Sequence, residues 1–277
     1  MSEAATDHVR PWQMGMRMYS VTEELAQAWE EFMLAVILGL RQRGWSEALQ
    51  IDRSVDDLSS FWVAPNLLLG QTCGYPLVTS LRERTHVLGT PEFTFPHCAG
   101  THYASLFLAR EDSGLQSLQD LRGRRIAMNG MDSHSGMNAL RHSVAPLAHA
   151  GRFFGALQLT GGHRESLQAV QSGAADATCV DCVHYGFALR DAPERVAGLR
   201  LLHVTATAPG LPFIASRHLG AAQLQDLRQV LFALPAARPD LAARLAIRSI
   251  RPMSLADYQP ILDMEREAIE AGYPALA

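Results

Sequence analysis

The sequence predicts an α/β fold of open sheets flanked by helices, and three stretches carry that expectation. Residues 126–141, IAMNGMDSHSGMNALR, read as strand, turn and helix. Residues 159–185, LTGGHRESLQAVQSGAADATCVDCVHY, read as a glycine-rich turn, a helix and a further strand. Residues 66–76 set an apolar strand, Asn66–Gly70, directly before the polar loop Gln71-Thr72-Cys73-Gly74-Tyr75-Pro76. In an open α/β sheet, the loop after a buried strand is the usual place for a ligand.

In chain order, residues 1–13 read as a loosely packed arm and Met14–Tyr19 as a first strand. Thr22 or Ser20 can cap the next helix, with Glu23 and Glu24 favourable at its positive end. Leu25, Trp29, Phe32, Met33, Val36 and Leu40 recur at helical spacing, and Gly44 ends the run. Ile51 starts a short segment, and Val55–Trp62 reads as helix with Asp56 and Asp57 near its start. Thr85–Thr90 is a strand, residues 91–100 a loop, and His102–Ala109 one long alternating strand. Ser117–Gly123 is a short helix closed by glycine. Leu167, Val170 and Ala174 share a face of the helix after His163, and Ala175–Val180 is a strand ending at Asp181. Val183–Arg190 is helical, Leu199–Ala206 and Phe213–Ser216 are strands, and the tail from Ala221 onward reads as helices.

The central stretch has the parts of a small-anion site. Ser133 or Ser135 caps the helix, two hydroxyls add donors, and Gly136 allows close backbone approach. The helix start presents unpaired N–H groups and a positive dipole end. An ordinary capped helix after a strand explains the same residues. A second helix start carries His163 and Ser166, which makes a shared polar pocket plausible. Gln71, Thr72 and Tyr75 are candidates to face a ligand from the loop after the 66–70 strand; a plain strand-to-helix turn is the alternative.

At 277 residues the chain is long enough for one large or two medium domains. A net charge of −4 without a long basic run argues against a nucleic-acid partner. The four cysteines, Cys73, Cys98, Cys179 and Cys182, are too few for a disulfide scaffold. Cys179-x-x-Cys182 has no second CxxC to complete a metal site, and its apolar surroundings suit buried strand. Whether Cys73 meets Cys98, or Cys179 meets Cys182, is open. Cys73 or Cys98 could serve as a nucleophile only with an activating base, for which His97 and His102 are candidates. The first residues have no apolar core of a signal peptide, and the longest apolar run, near Phe32–Leu40, is too short to span a bilayer. The protein is therefore expected to be soluble, either cytoplasmic or with a leader removed.

Three segments together resemble the substrate-binding proteins of phosphate/phosphonate-type ABC transporters. SLQDLRGRRIAMNGMDSHSGMNALR (117–141) is similar to that family's helix, Leu-x-Gly-Lys/Arg, strand and Asp-Ser-x-Ser-Gly block. LTGGHRESLQAVQSGAADATCVDCVHY (159–185) looks like its Gly-x-His-x-x-Ser-x-x-Ala-Val-x-x-Gly-x-x-Asp block, and TATAPGLPFIASRHL (205–219) like its return to the first lobe. The resemblance covers roughly 14–270, more loosely over the first 110 residues.

It implies a two-lobed type II periplasmic-binding-protein fold with a ligand cleft between the lobes. Lobe one would be 1–105 plus 213–277 and lobe two 106–212, with residues 102–109 and 211–217 as crossing segments. It also implies a non-enzymatic binding role, delivering a small anionic, phosphonate- or phosphate-like ligand to an ABC transporter permease. The protein would be monomeric and periplasmic, with no metal or cofactor. Ser133, His134 and Ser135 occupy the family's anion-binding positions, Tyr19, Gln71, Thr72 and Tyr75 are candidates from lobe one, His163 matches its second-turn histidine, and Asp181 could pair with a ligand amine. The chain departs from the family in carrying His134 where a small hydroxyl residue is commoner. The alternative is a cytoplasmic or orphan binding or sensing protein of the same fold with a sulfonate or pyrimidine-like ligand.

Overall fold

The computed structural model describes residues 10–55 and 57–277. The chain begins with β1 (Trp12–Gly15), α1 (Glu23–Gln42), β2 (Leu49–Ile51), α2 (Leu58–Trp62), β3 (Leu67–Gln71), α3 (Gly74–Val78) and β4 (Thr85–Phe93). Two short strands, β5 (Cys98–Ala99) and β6 (His102–Tyr103), lead into β7 (Ser105–Arg110) and β8 (Arg125–Met128). Next come α4 (Ala139–Val144), β9 (Ala156–Leu159), α5 (His163–Gln171), β10 (Ala177–Asp181), α6 (Cys182–Asp191) and β11 (Leu199–Val204). The chain returns through β12 (Ala208–Pro209) and β13 (Phe213–Ser216) to α7 (Ala221–Ala237), α8 (Pro239–Arg244), β14 (Ile247–Arg251) and α9 (Gln259–Glu270).

These strands form two main sheets. The first has the order β14-β4-β13-β3-β1-β2 and the second β11-β7-β10-β8-β9. In each, the parallel strands (β3, β1 and β2; β10, β8 and β9) are extended by antiparallel ones. The chain crosses between them twice, and the crossings are tied: β6 pairs with β12, Tyr103 opposite Ala208, and β5 completes a small ribbon. The two-lobed α/β arrangement expected from the sequence is present.

Local chemistry explains why the elements start and stop where they do. Thr22 accepts the Leu25 N–H at 3.3 Å to cap α1, and Leu25, Trp29, Phe32, Met33, Val36 and Leu40 are buried along one face. Gly44 ends the helix at φ +85, a conformation that costs other residues strain. The first core cluster spans both sheets, joining Met14 and Phe213 to Leu108, Val180 and Phe187.

Several boundaries differ from the sequence reading. The first strand is β1, not Met14–Tyr19. It begins inside the expected arm, and after Gly15 the chain leaves the sheet so that Tyr19 can bury its ring beside Phe93 and Phe187. Of that arm, residues 1–9 lie outside the described residues, as does Asp56. Asp57 caps α2, accepting N–H groups from Ser59 and Ser60. The 102–109 strand is broken at Ala104 into β6 and β7, and β4 runs three residues into the expected loop. Ala174 lies beyond α5 and is exposed. β14 was read as helix; Ala246 at φ 52 ends α8 and turns the chain into an edge strand on β4.

The end of the described chain leaves the first sheet. Ala268, Tyr273 and Leu276 are buried with Phe107, Ile126 and Phe153 of the second sheet. The Phe153 and Phe154 N–H groups donate to the Ala277 carbonyl at 2.8 and 3.0 Å. The Tyr273 hydroxyl donates to the same carbonyl at 2.8 Å. Removing a fully buried aromatic ring typically costs about 3–5 kcal/mol. Tyr273→Ala should therefore lower the stability by that order, read as a reduced urea midpoint at unchanged m-value.

Candidate functional site

A cavity of about 310 Å³ lies between the sheets. Its first-sheet wall is Met18, Leu58, Trp62, Pro76 and Cys73, with Asp57 and Ser59 at the start of α2. Its second-sheet wall is Asn129, Asp132, Ser133, Ser135, Gly161, His163 and Asp181, and Leu211 comes from the return crossing. Larger in volume, at about 690 Å³, is an apolar groove between α1 and α7, far from these convergent polar groups.

The polar wall is built at two strand ends. After β8 the chain turns through residues 129–132, and Ser133 caps a π-type turn over His134–Asn138 that runs into α4. Its hydroxyl accepts the Gly136 N–H at 3.0 Å. Ser133 Oγ lies 3.4 Å from Ser135 Oγ, and Ser135 Oγ shares a 3.0 Å hydrogen bond with His163 Nε2. His163 opens α5, and its Nε2 is 3.5 Å from the carboxylate of Asp181, the last residue of β10. A continuous polar chain, Ser133–Ser135–His163–Asp181, therefore runs along one face of the cleft.

Asp181 is 3 % exposed. Burial pushes its pKa up to about 7, against the pull of the His184 and Val183 N–H groups and the Tyr19 hydroxyl. Burial likewise holds His163 well below the usual histidine range, with His184 adding to the effect. Desolvation disfavours the charged form of both groups in this poorly solvated wall. His163 Nδ1 and Asn129 Oδ1 are buried without a hydrogen-bond partner among the described residues. Such groups are costly unless something satisfies them. Asp57, Asp132 and Asp181 line the cavity, and no Lys or Arg does among the described residues.

The sequence profile described as "ABC transporter, phosphonate, periplasmic substrate-binding protein" matches residues 78–258. The chain belongs to this family. It is thus a substrate-binding protein of the ABC-transporter type, and the family is one of binding proteins rather than enzymes. No curated protein sequence matches it. The fold is similar to that of PhnD1 from Prochlorococcus marinus in complex with methylphosphonate, at TM-score 0.77 and 15% identity over 93% of this chain and 98% of that one. It is also similar to a phosphonate transporter binding component from Pseudomonas aeruginosa, at TM-score 0.75 and 17% identity over 95% and 88%. The alkanesulfonate-binding protein SsuA from Xanthomonas axonopodis pv. citri, bound to MOPS, follows at TM-score 0.60 and 17% identity over 95% and 94%. At these identities the likeness shows a shared fold.

In this family member, four of the residues singled out from sequence line the cavity: Ser133, Ser135, His163 and Asp181. Of the other five, Tyr19, Gln71, Thr72 and His134 are buried around it and Tyr75 is partly buried. Tyr19 stands behind Asp181, where its hydroxyl offsets part of the burial effect on the carboxyl group. Gln71 Nε2 donates to the Leu211 carbonyl at 3.2 Å, and the Thr72 N–H to that of Pro212 at the same distance, so both hold the return crossing. Tyr75 points to α9, donating to Glu265 at 2.6 Å. His134 turns inward, where Asn138 meets its Nδ1 at 3.2 Å and its N–H donates to Cys73 Sγ at 3.1 Å. Burial lowers its pKa to about 3, so it is neutral.

Gly136 has a different reason from the expected open approach: a Cβ there would meet Asn129 Oδ1 at 1.9 Å. Asn129 reads from the sequence only as a turn former and not as a site residue, although its place one residue after β8 was a usable signal. Asp57 and Ser59 were also missed, because only packing brings α2 over the cleft. Burial pushes the Cys73 thiol up to about 11, the opposite of what an activated nucleophile requires.

A raised folded-state carboxyl pKa means that folding binds a proton. The associated stability is present below the unfolded value near 4 and is lost as pH rises through about 7. Asp181→Asn should therefore gain in Tm relative to the parent between pH 4 and pH 7, with the difference levelling off above, as thermal melts across that range would show.

Proposed function

We propose that the cleft binds a small oxyanion of the phosphonate class, with the anionic group against Ser133, Ser135 and the helix start behind them. The observation that carries this is the unbroken Ser133–Ser135–His163–Asp181 chain facing the cavity. With no cationic side chain among the described lining residues, hydroxyl and N–H donors and the helix dipole are left to hold the anion. The three carboxylates favour a ligand that also carries an ammonium group, with Asp181 or Asp132 as its partner. The family and the methylphosphonate in the PhnD1 neighbour support the anion class.

The same reading has the protein act as a monomer in the periplasm and deliver its ligand to an ABC permease. No helix among the described residues is long and apolar enough to cross a membrane. The apolar wall of Met18, Leu58, Trp62 and Pro76 favours a second class, an organic sulfonate or a flat pyrimidine-like ring.

A thermal-shift screen against methylphosphonate, aminomethylphosphonate, phosphate, methanesulfonate and pyrimidines separates these readings. A ligand at 100 times its Kd stabilises the fold by about 2.7 kcal/mol. Aminomethylphosphonate should give the largest shift. Ser135→Ala should weaken its binding by roughly 10–100-fold, since a hydrogen bond to a charged group is worth about 1.5–3 kcal/mol. Unchanged affinity in that variant would remove Ser135 from the site, and a response to pyrimidines alone would overturn the oxyanion reading.

A further inference from the structure

Neither cysteine pairing left open by the sequence is the one the fold brings together. Cys179 and Cys182 belong to different core clusters: Cys179 packs with Phe107 and Met128, Cys182 with Tyr19 and Phe187. Cys73 is held by the His134 N–H, remote in role from Cys98. Instead Cys98 Sγ lies 3.5 Å from Cys182 Sγ, across 84 residues of sequence. We propose that Cys98 and Cys182 are a redox pair, whose reversible disulfide ties the crossing ribbon to the start of α6.

The surroundings favour this bond. A disulfide needs the sulfurs at about 2.05 Å, a short closure from contact distance that small side-chain rotations can supply. Cys98 sits in β5 opposite Tyr103, on the ribbon through which the chain passes between sheets. Cys182 directly follows Asp181, and its N–H donates to the Ala104 carbonyl at 3.0 Å, so both backbones are already anchored to one ribbon. Phe95, three residues before Cys98, packs edge-on against Phe187 of α6 at 4.8 Å. Cys98 is partly exposed whereas Cys182 is buried, so an external reagent meets Cys98 first. The shared contact with Cys98, together with burial, holds the Cys182 thiol well above its ordinary pKa, which keeps it protonated until Cys98 has reacted.

The oxidant is an organic disulfide, RSSR. The Cys98 thiolate attacks one sulfur of RSSR, forms a mixed disulfide and releases RS⁻. Cys182 then gives up its proton and attacks the Cys98 sulfur, expelling the second RS⁻. In sum two protein thiols become one S–S bond, and RSSR is reduced to two RSH. The bond joins the ribbon to the helix whose first N–H groups hold Asp181, so oxidation stiffens the connection between the sheets beside the cleft.

The test uses the full chain and oxidised glutathione. Free thiols should fall from four to two. Non-reducing peptide mapping should give a linked Cys98–Cys182 peptide, the urea midpoint should rise, and dithiothreitol should reverse all three. Cys182→Ser should trap a glutathione adduct on Cys98, and Cys98→Ser should leave Cys182 unmodified in the folded protein. A stable glutathione adduct on Cys98 of the parent, a link between any other pair, or four thiols persisting would each overturn the proposal. These readouts need no ligand, so they stand or fall separately from the oxyanion assignment.

Discussion

One buried carboxyl group organises the centre of the molecule. Asp181 lies at the end of β10 with almost no access to water, where an uncompensated charge would be very costly. The chain meets that constraint from several directions. The His184 N–H donates to it at 2.6 Å and so starts α6; His163 reaches it from the start of α5; Tyr19 reaches it from the turn after β1. Three elements of the second sheet and one of the first are fixed by what surrounds a single side chain. The polar wall of the cleft is that compensation seen from the ligand's side.

The sheets are held together in two further ways. At one edge, the ribbon of β5, β6 and β12 pairs the outgoing and returning crossings, and Gln71 and Thr72 bind the return segment to the first sheet. Elsewhere α9 packs on both α3 and α4, with Tyr75, Glu265 and Arg141 in one network: Arg141 lies 3.3 Å from Glu265 and donates to the Pro274 carbonyl at 2.8 Å. Hinge closure of the kind two-lobed binding proteins use must carry this network along or break it. The tail beyond it is seated in the second core: the chain returns to the first sheet and then leaves it again.

Much of the local structure was legible because it rests on local chemistry. The α1 stripe follows from 3.6-residue spacing, its ends from Thr22 and Gly44, and the serine-capped start after β8 from Ser133. Three strand positions also followed directly, since β3, β8 and β10 are short apolar runs closed by turn formers. Misplaced boundaries had long-range causes. β1 ends early because Tyr19 is drawn to Phe93 and Phe187, and β14 exists because Ala246 adopts a left-handed conformation that its identity does not announce. Among the site residues, serines at a helix start could be read directly. His134 could not, since an inward turn toward Asn138 leaves no mark on neighbouring residues.

By itself, the sequence determined the α/β class, the family motifs and the two polar helix starts, because capping, periodicity and turn chemistry act over a few residues. Tertiary structure alone decided which of those groups share a cavity. It set Ser135, His163 and Asp181 in contact, put Asp57 and Trp62 opposite them, sent Tyr75 away to Glu265 and brought Cys98 to Cys182. Contacts between residues 18 to 190 positions apart depend on strand order within a sheet and on how the two sheets pack, and no local pattern encodes that distance.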